Sequence, residues 1–168
     1  GFRTKGVDRS IAALPSVPEA HLVIAGQDKT GPFEKQANQL GIADRVHFLG
    51  GRGDVDRLMR DSDLLVHPAY SENTGTVLLE ALARGLPVIA TSVCGFAYHL
   101  SDSGGGIALP YPFRQDTLDE AMQECLNDDD KRVAMSKAGL AYSATEDLYS
   151  CHRHAVDLLE QLALTKGA

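Results

Sequence analysis

The sequence predicts an α/β fold of the Rossmann type, a doubly wound parallel sheet with helices on both faces. Short apolar runs alternate along the chain with longer segments that have the period of an amphipathic helix. The apolar runs are continuous, without polar residues at every second position, which is typical of parallel strands covered on both faces. From residue 115 onwards only helical patterns remain, so we expect a helical C-terminal tail.

Five apolar runs are predicted as strands. The first ends at Gly26, the second at a glycine-rich loop over 50–53, and the third at Pro68, which cannot donate to a strand ladder. In chain order the predicted strands are 21–25, 46–49, 63–67, 87–91 and 104–109. The carboxyl ends of such strands meet at one edge of the sheet, where folds of this class bind their ligands.

Helical periodicity fills the intervals between these runs. Pro15 and Pro18 mark the end of the first helical segment, and Gly41 and Gly85 end the second and the fourth. Asp54 precedes the third, so we predict that its carboxylate caps that helix. In chain order the predicted helices are 7–17, 33–40, 55–60, 74–84, 96–100, 117–127, 130–143 and 147–164.

Composition indicates an ordinary soluble protein, with 43% hydrophobic and 23% charged residues. The net charge of −7 argues against nucleic acid as a partner and provides no positive stripe for a membrane surface. No apolar run approaches about 20 residues, the length that spans a bilayer. The three cysteines lack CxxC spacing, which favours a reducing, cytoplasmic location. The six histidines lack metal-ligand spacing, so we expect no metal or other cofactor.

The first residues of the sequence resemble the interior of a domain. Residues 1–6 have the composition of a loop that leads into a helix, and no strand precedes them. A doubly wound sheet is built from strands that each feed a helix. We therefore expect residues 1–168 to form a single domain that is a fragment of a longer protein and starts just after its first strand.

Two carboxylates in the segment 68–91 are the strongest candidates for a function. Glu80 lies inside an otherwise apolar helical run, where a charge is costly unless something binds it. A carboxylate placed there can accept hydrogen bonds from two vicinal hydroxyls, as acidic residues do with ribose in nucleotide-binding folds. Glu72 lies in the preceding loop and could contact a sugar or stabilise a developing positive charge.

Backbone and cationic groups near these carboxylates predict an anion site. The segment of Asn73, Thr74, Gly75 and Thr76 opens a helix, whose first N–H groups and positive dipole end attract an anion such as a phosphate. Lys5, with Arg3 nearby, could add cationic contacts to a diphosphate.

Each of these residues also has an interpretation without function. Asn73 or Thr74 could merely cap the helix, Glu72 could be an exposed loop acid, and Arg3 could belong to an exposed terminus. His67 is equally well explained as a hydrogen-bonded core histidine. These alternatives stay open at the level of the sequence.

The motifs together resemble the retaining glycosyltransferases of family GT4, which have the GT-B fold. Glu72 and Glu80, followed by the segment 81–91 (ALARGLPVIAT), resemble the donor-binding motif of that family, and the segment 5–8 (KGVD) resembles its KG-x-D motif. The segments 45–50 and 63–68 lie between these two motifs and match the order of segments in that family. Details at 26–29, 67–70, 93–95 and 147–150 resemble the bacterial subfamily that adds glucose to an inner-core heptose of lipopolysaccharide. Cys94 and Tyr98 stand where most members have a glycine and a glutamate.

This resemblance implies that the chain is the C-terminal, donor-binding half of a GT-B enzyme and would be inactive alone. Lys5 would bind the diphosphate of UDP-glucose, Glu72 would face the transferred sugar, and these two are the candidate catalytic residues. The backbone of 73–76 would hold the distal phosphate and the sugar hydroxyls, and Glu80 would hold the ribose hydroxyls. The loop at Gly51 and Arg52 would lie beside the base. Arg3 would assist Lys5.

The resemblance also implies partners and conditions for the reaction. Transfer would retain the anomeric configuration without a bound metal. The lipopolysaccharide acceptor would bind a missing N-terminal domain, and peripheral contact with the inner membrane would belong only to the full-length protein.

Three alternatives differ from this interpretation. The chain could belong to a GT4 enzyme with another donor, such as GDP-mannose or UDP-N-acetylglucosamine, or another acceptor. It could be a non-catalytic nucleotide-binding module, in which case Glu80 would be solvent-exposed or in an internal ion pair, and the strand ends would lack a cavity. A receiver-type regulatory domain would need clustered aspartates at the strand ends, which Asp28 and Asp63 do not supply.

Overall fold

The computed structural model describes residues 1–148 and 150–166 as parallel strands joined by helices. The strands are β1 Leu22–Ala25, β2 Val46–Gly50, β3 Leu65–His67, β4 Val88–Thr91 and β5 Gly106–Leu109. The helices are α1 Val7–Ala13, α2 Gly31–Gln39, α3 Val55–Arg60, α4 Thr76–Leu82, α5 Tyr98–Ser103, α6 Gln115–Leu126, α7 Asp129–Thr145 and α8 Cys151–Lys166. The predicted α/β architecture with a helical C-terminal tail is confirmed.

All strand pairs are parallel, and they fall into two groups. β1 pairs with β2, and β3, β4 and β5 form a second sheet in that order. Helix α1 contacts both β1 and β3 and so joins the two groups through its apolar face. The carboxyl ends of the strands therefore share one edge of the domain, as the predicted parallel arrangement requires.

The core is densest around β4, whose four residues are all buried. Val88, Ile89 and Ala90 have no exposed surface, because helices cover both sides of this strand. Ile89 packs into the cluster under α1 and α6, and Val88 packs into the cluster under α4 and α5. A continuous apolar run is what a strand covered on both faces needs.

Several local predictions at helix starts are wrong. Helices α5 and α8 begin two and four residues later than predicted. Asp54 precedes α3 but makes no capping hydrogen bond, because its carboxylate binds the Arg52 guanidinium instead. Helix α4 begins at Thr76 and not at residue 74, since Gly75 before it has φ 80° and ends the loop in the left-handed region.

Tyr149, within one of the segments that resemble the glucosyltransferase subfamily, lies outside the described residues.

The N-terminal loop lies directly against the end of β3. The Tyr70 N–H donates to the Thr4 carbonyl at 2.9 Å. Gly6 has φ 77°, and a Cβ atom on it would lie 2.1 Å from the Pro68 carbonyl oxygen. A side chain at residue 6 would therefore push the loop away from β3.

None of the helices in the described ranges is both long and apolar enough to cross a bilayer.

We expect Gly6→Ala to lower the free energy of unfolding by at least about 2 kcal/mol, because the substitution adds left-handed strain to a backbone clash. Gly53→Ala is the matched control, since a Cβ atom there meets nothing within 4 Å and its φ is not left-handed. Urea unfolding of the two variants measures the difference. Equal midpoints would show that the loop can move away from β3 without cost.

Candidate functional site

A charged cluster lies where the N-terminal loop meets the loop after β3. The Lys5 ammonium donates to Oε2 of Glu72, although 67 residues separate the two in sequence. The Glu72 side chain is only 12% exposed, whereas that of Lys5 is 44% exposed. A carboxylate this enclosed needs a partner, and the fold provides one from a distant part of the chain.

The environment keeps Glu72 ionised. The hydrogen bond from Lys5 lowers the pKa of the Glu72 carboxyl, and this outweighs the partial burial that would raise it. A weaker contribution in the same direction comes from His67, whose Nε2 lies 3.4 Å from the same Oε2 atom. Glu72 is therefore a carboxylate at neutral pH, able to face a positive charge or accept hydroxyl hydrogen bonds.

His67 is a buried residue at the end of β3. Burial lowers the pKa of its ring, and the hydrogen bond to Glu72 opposes this only in part. The imidazole is therefore neutral at pH 7 and can present one N–H group. At the level of the sequence, His67 was equally well explained as a core histidine, and no residue pattern indicated that it would lie beside Glu72.

A second loop holds the Glu72 loop in place. Glu72 forms a parallel bridge with Cys94, and the Phe96 N–H donates to the Thr74 carbonyl at 2.8 Å. A Cβ atom on Gly95 would lie 2.2 Å from the Asn73 carbonyl oxygen, so the two backbones touch. The segment 73–76 is thereby fixed as it enters α4.

Cys94 is a buried residue of this contact. Its side chain packs beside Gly75 and Thr91, and the residue is 3% exposed. Burial raises the pKa of the thiol, which leaves it protonated and unreactive at neutral pH. Tyr98, the other departure from the family pattern, is 55% exposed and lies against the His99 ring.

Glu80 is a half-buried carboxylate in the second turn of α4. Its neighbours Leu79 and Ala81 are buried, and within the described ranges no side chain forms an ion pair or hydrogen bond with its carboxylate. Arg84 lies one turn further on but donates to the Glu80 carbonyl and pairs with Asp56. The carboxylate of Glu80 is thus available to a ligand, which disfavours a module in which it serves an internal ion pair.

Arg3 and Arg52 are not brought to the Lys5–Glu72 cluster. The Arg3 guanidinium is 74% exposed and pairs with Asp8 at 2.9 Å. Arg52 makes two hydrogen bonds to Asp54, at 2.8 and 2.7 Å, and Gly51 beside it approaches the side chain of Gln27. These contacts hold both guanidinium groups apart from Lys5, so their assignment to the donor remains a prediction.

Two cavities also open at the strand ends. One of about 130 Å³ lies beside Ala69, Thr91 and Phe113, and one of about 330 Å³ lies between α1 and α2 and includes Arg3 and Asp8. Neither is lined by Glu72 or Glu80. The two carboxylates therefore lie outside the lining of these two cavities. In the part of the chain that the structure describes, no three histidine, cysteine or acidic side chains gather as metal ligands.

Comparison with known proteins identifies relatives of the whole site region. The family model of the glycosyl transferases group 1 matches residues 1–141. The lipopolysaccharide glucosyltransferase WaaG of Escherichia coli is 45% identical over 163 residues, which cover 94% of this chain and 44% of WaaG. The lipopolysaccharide core biosynthesis mannosyltransferase LpsB of Rhizobium meliloti is 39% identical over 98 residues, or 54% of this chain and 28% of LpsB.

Solved structures give the same relationship. The crystal structure of WaaG superposes with a TM-score of 0.89 at 45% identity, over 94% of this chain and 44% of that one. Anabaena HepE in complex with UDP-glucose superposes with a TM-score of 0.84 at 26% identity, over 94% of this chain and 46% of HepE. The chain thus spans less than half the length of these relatives.

We expect the Glu72 carboxyl to titrate below its ordinary pKa and to return towards it in Lys5→Met, because the ion pair is the main cause of the shift. Since the folded pKa is the lower one, the stabilisation by Lys5 is present above the unfolded pKa and is lost as the pH falls through the folded value. NMR titration of the Glu72 carboxyl carbon and thermal melts at several pH values measure both effects.

The control is Lys35→Met, which removes an exposed lysine of α2. It should change neither the Glu72 titration nor its effect on stability. An unchanged Glu72 midpoint in Lys5→Met would show that the ion pair does not set this pKa.

Proposed function

Because the chain belongs to the group 1 glycosyl transferase family, we propose that it is the donor-binding domain of a retaining glycosyltransferase. The transferred group is glucose, the donor is UDP-glucose, and the acceptor is an inner-core heptose of lipopolysaccharide. The similarity to WaaG and the UDP-glucose complex of HepE support this choice. The acceptor site belongs to a part of the enzyme beyond these 168 residues, and the reaction takes place in the cytoplasm, with any contact to the inner membrane made by that other part.

The juxtaposition of Lys5 and Glu72 carries the proposal. A nucleotide sugar has an anionic diphosphate joined to a sugar carbon that becomes positive as the bond between them breaks. An ammonium beside a carboxylate complements this charge distribution, with the ammonium facing the diphosphate and the carboxylate facing the sugar carbon. Lys5 stabilises the departing diphosphate, and Glu72 faces the sugar and its developing positive charge.

The remaining donor contacts follow along α4. The backbone of 73–76, fixed by the contact with Gly95, presents N–H groups to the distal phosphate. The free carboxylate of Glu80 accepts hydrogen bonds from the two ribose hydroxyls. Arg52 lies beside the base and Arg3 assists Lys5 once their bonds to Asp54 and Asp8 open. Since Lys5 supplies the positive charge, donor binding needs no metal ion.

A mannose donor is the second candidate. It is favoured by the similarity to LpsB, which is a mannosyltransferase by name. The same diphosphate and ribose contacts would serve GDP-mannose, and the base and sugar would then be selected by the loops around Arg52 and Glu72.

We expect the chain to bind UDP-glucose more tightly than GDP-mannose or UDP-N-acetylglucosamine, with no change when EDTA is added. Glu80→Ala should weaken binding about 10- to 100-fold, because it removes hydrogen bonds from ribose hydroxyls to a charged acceptor. Isothermal titration calorimetry with the three donors measures these affinities.

Glu120→Ala is the matched control, since Glu120 is an exposed glutamate on α6. It should bind like the unmodified chain. Undiminished binding by Glu80→Ala would remove Glu80 from the donor site, and the absence of binding to all three donors would refute the proposed function.

A further inference from the structure

We propose that His67 is a positioning residue that keeps the Glu72 carboxylate directed at the donor sugar when Lys5 engages the diphosphate. This inference rests on the proposed function, in which Lys5 and Glu72 contact different parts of the same ligand. It assigns a task to a buried histidine whose ring nitrogen lies beside the Glu72 carboxylate.

The contacts of Glu72 show why its carboxylate needs a second partner besides Lys5. Among the described residues the carboxylate has two hydrogen-bond partners, Lys5 and His67, and both reach the same oxygen, Oε2. The other oxygen, Oε1, is thereby left to a ligand. When a diphosphate attracts the Lys5 ammonium, Glu72 loses the stronger of its two partners, and a charged side chain without a partner would turn towards solvent.

His67 is the fixed partner and Lys5 the adaptable one. His67 lies in β3 and pairs in register with Ala90 of the fully buried β4, and its side chain is 11% exposed. Lys5 is on the N-terminal loop and has a long, flexible side chain, which is 44% exposed. The ammonium can therefore change partners, whereas the imidazole stays where the sheet holds it.

The protonation state of His67 suits this task. Burial lowers the pKa of the ring, so the neutral form, with a single N–H, is present at pH 7. An N–H on Nε2 donates to Glu72 without adding a second positive charge that would compete with Lys5 for the carboxylate. The Nε2–Oε2 distance of 3.4 Å is longer than an ordinary hydrogen bond of about 2.7–3.2 Å. We expect it to shorten once Lys5 moves to the diphosphate.

The experiment compares UDP-glucose with UDP in calorimetry on the 168-residue chain. His67→Leu should reduce the preference for UDP-glucose over UDP about three- to tenfold, the loss of one hydrogen bond, and leave the affinity for UDP within about twofold. His67→Gln, whose amide nitrogen can reach the position of Nε2, should retain the preference. A purely structural role would weaken both ligands alike.

A double-mutant cycle tests whether the effect passes through Glu72. In a Glu72→Gln background, His67→Leu should cause no further loss of the preference for UDP-glucose. Additive losses, an unchanged preference in His67→Leu, or a His67→Gln variant as weak as His67→Leu would each overturn the inference. If the unmodified chain binds neither ligand, the proposed function itself fails, and this is a separate result from those three.

A measurement on the unmodified chain avoids any loss of folding in the variants. Nitrogen-15 NMR of the His67 ring should show a protonated Nε2 whose signal moves when UDP-glucose is added and moves less with UDP. A ring protonated on Nδ1 alone, or one that responds equally to both ligands, would overturn the inference.

Discussion

The burial of β4 is the constraint on which the rest of the domain depends. Val88, Ile89 and Ala90 have no exposed surface, so helices must cover both faces of the sheet, and both flanking strands run parallel to β4. Parallel strands joined by helices end at one common edge. This brings the loop after β3, the loop after β4 and the N-terminal loop together, although they are far apart in sequence.

The charges at that edge are arranged around one carboxylate. Glu72 is nearly enclosed, so its ionised form requires partners, and the described residues supply the half-exposed ammonium of Lys5 and the buried imidazole of His67. In the role that we propose for His67, a ligand takes the place of Glu72 beside the Lys5 ammonium while the imidazole keeps the carboxylate in position. A second carboxylate, Glu80, has no side-chain partner in the described structure. Unlike Glu72, it can therefore accept hydrogen bonds from hydroxyl groups of a ligand directly.

Backbone packing gives the site its shape. Gly6 and Gly95 each allow one loop to touch the backbone of another, with no room for a Cβ atom. These contacts place Lys5 beside Glu72 and hold the segment 73–76 at the start of α4. One fold can serve many functions. The proposed donor site is therefore supported by these particular contacts together with the family to which the chain belongs.

The sequence by itself determined the parallel architecture, because continuous apolar runs and helical periods are local properties of the chain. It also selected Glu72, Glu80 and Lys5 as candidate site residues, through a costly charge in an apolar helix and through motif order. It could not show that Lys5 pairs with Glu72, that Arg52 takes the carboxylate of Asp54, or that His67 faces Glu72. Those outcomes depend on which side chains the packing of distant loops brings within hydrogen-bonding distance, and only the tertiary structure decides that.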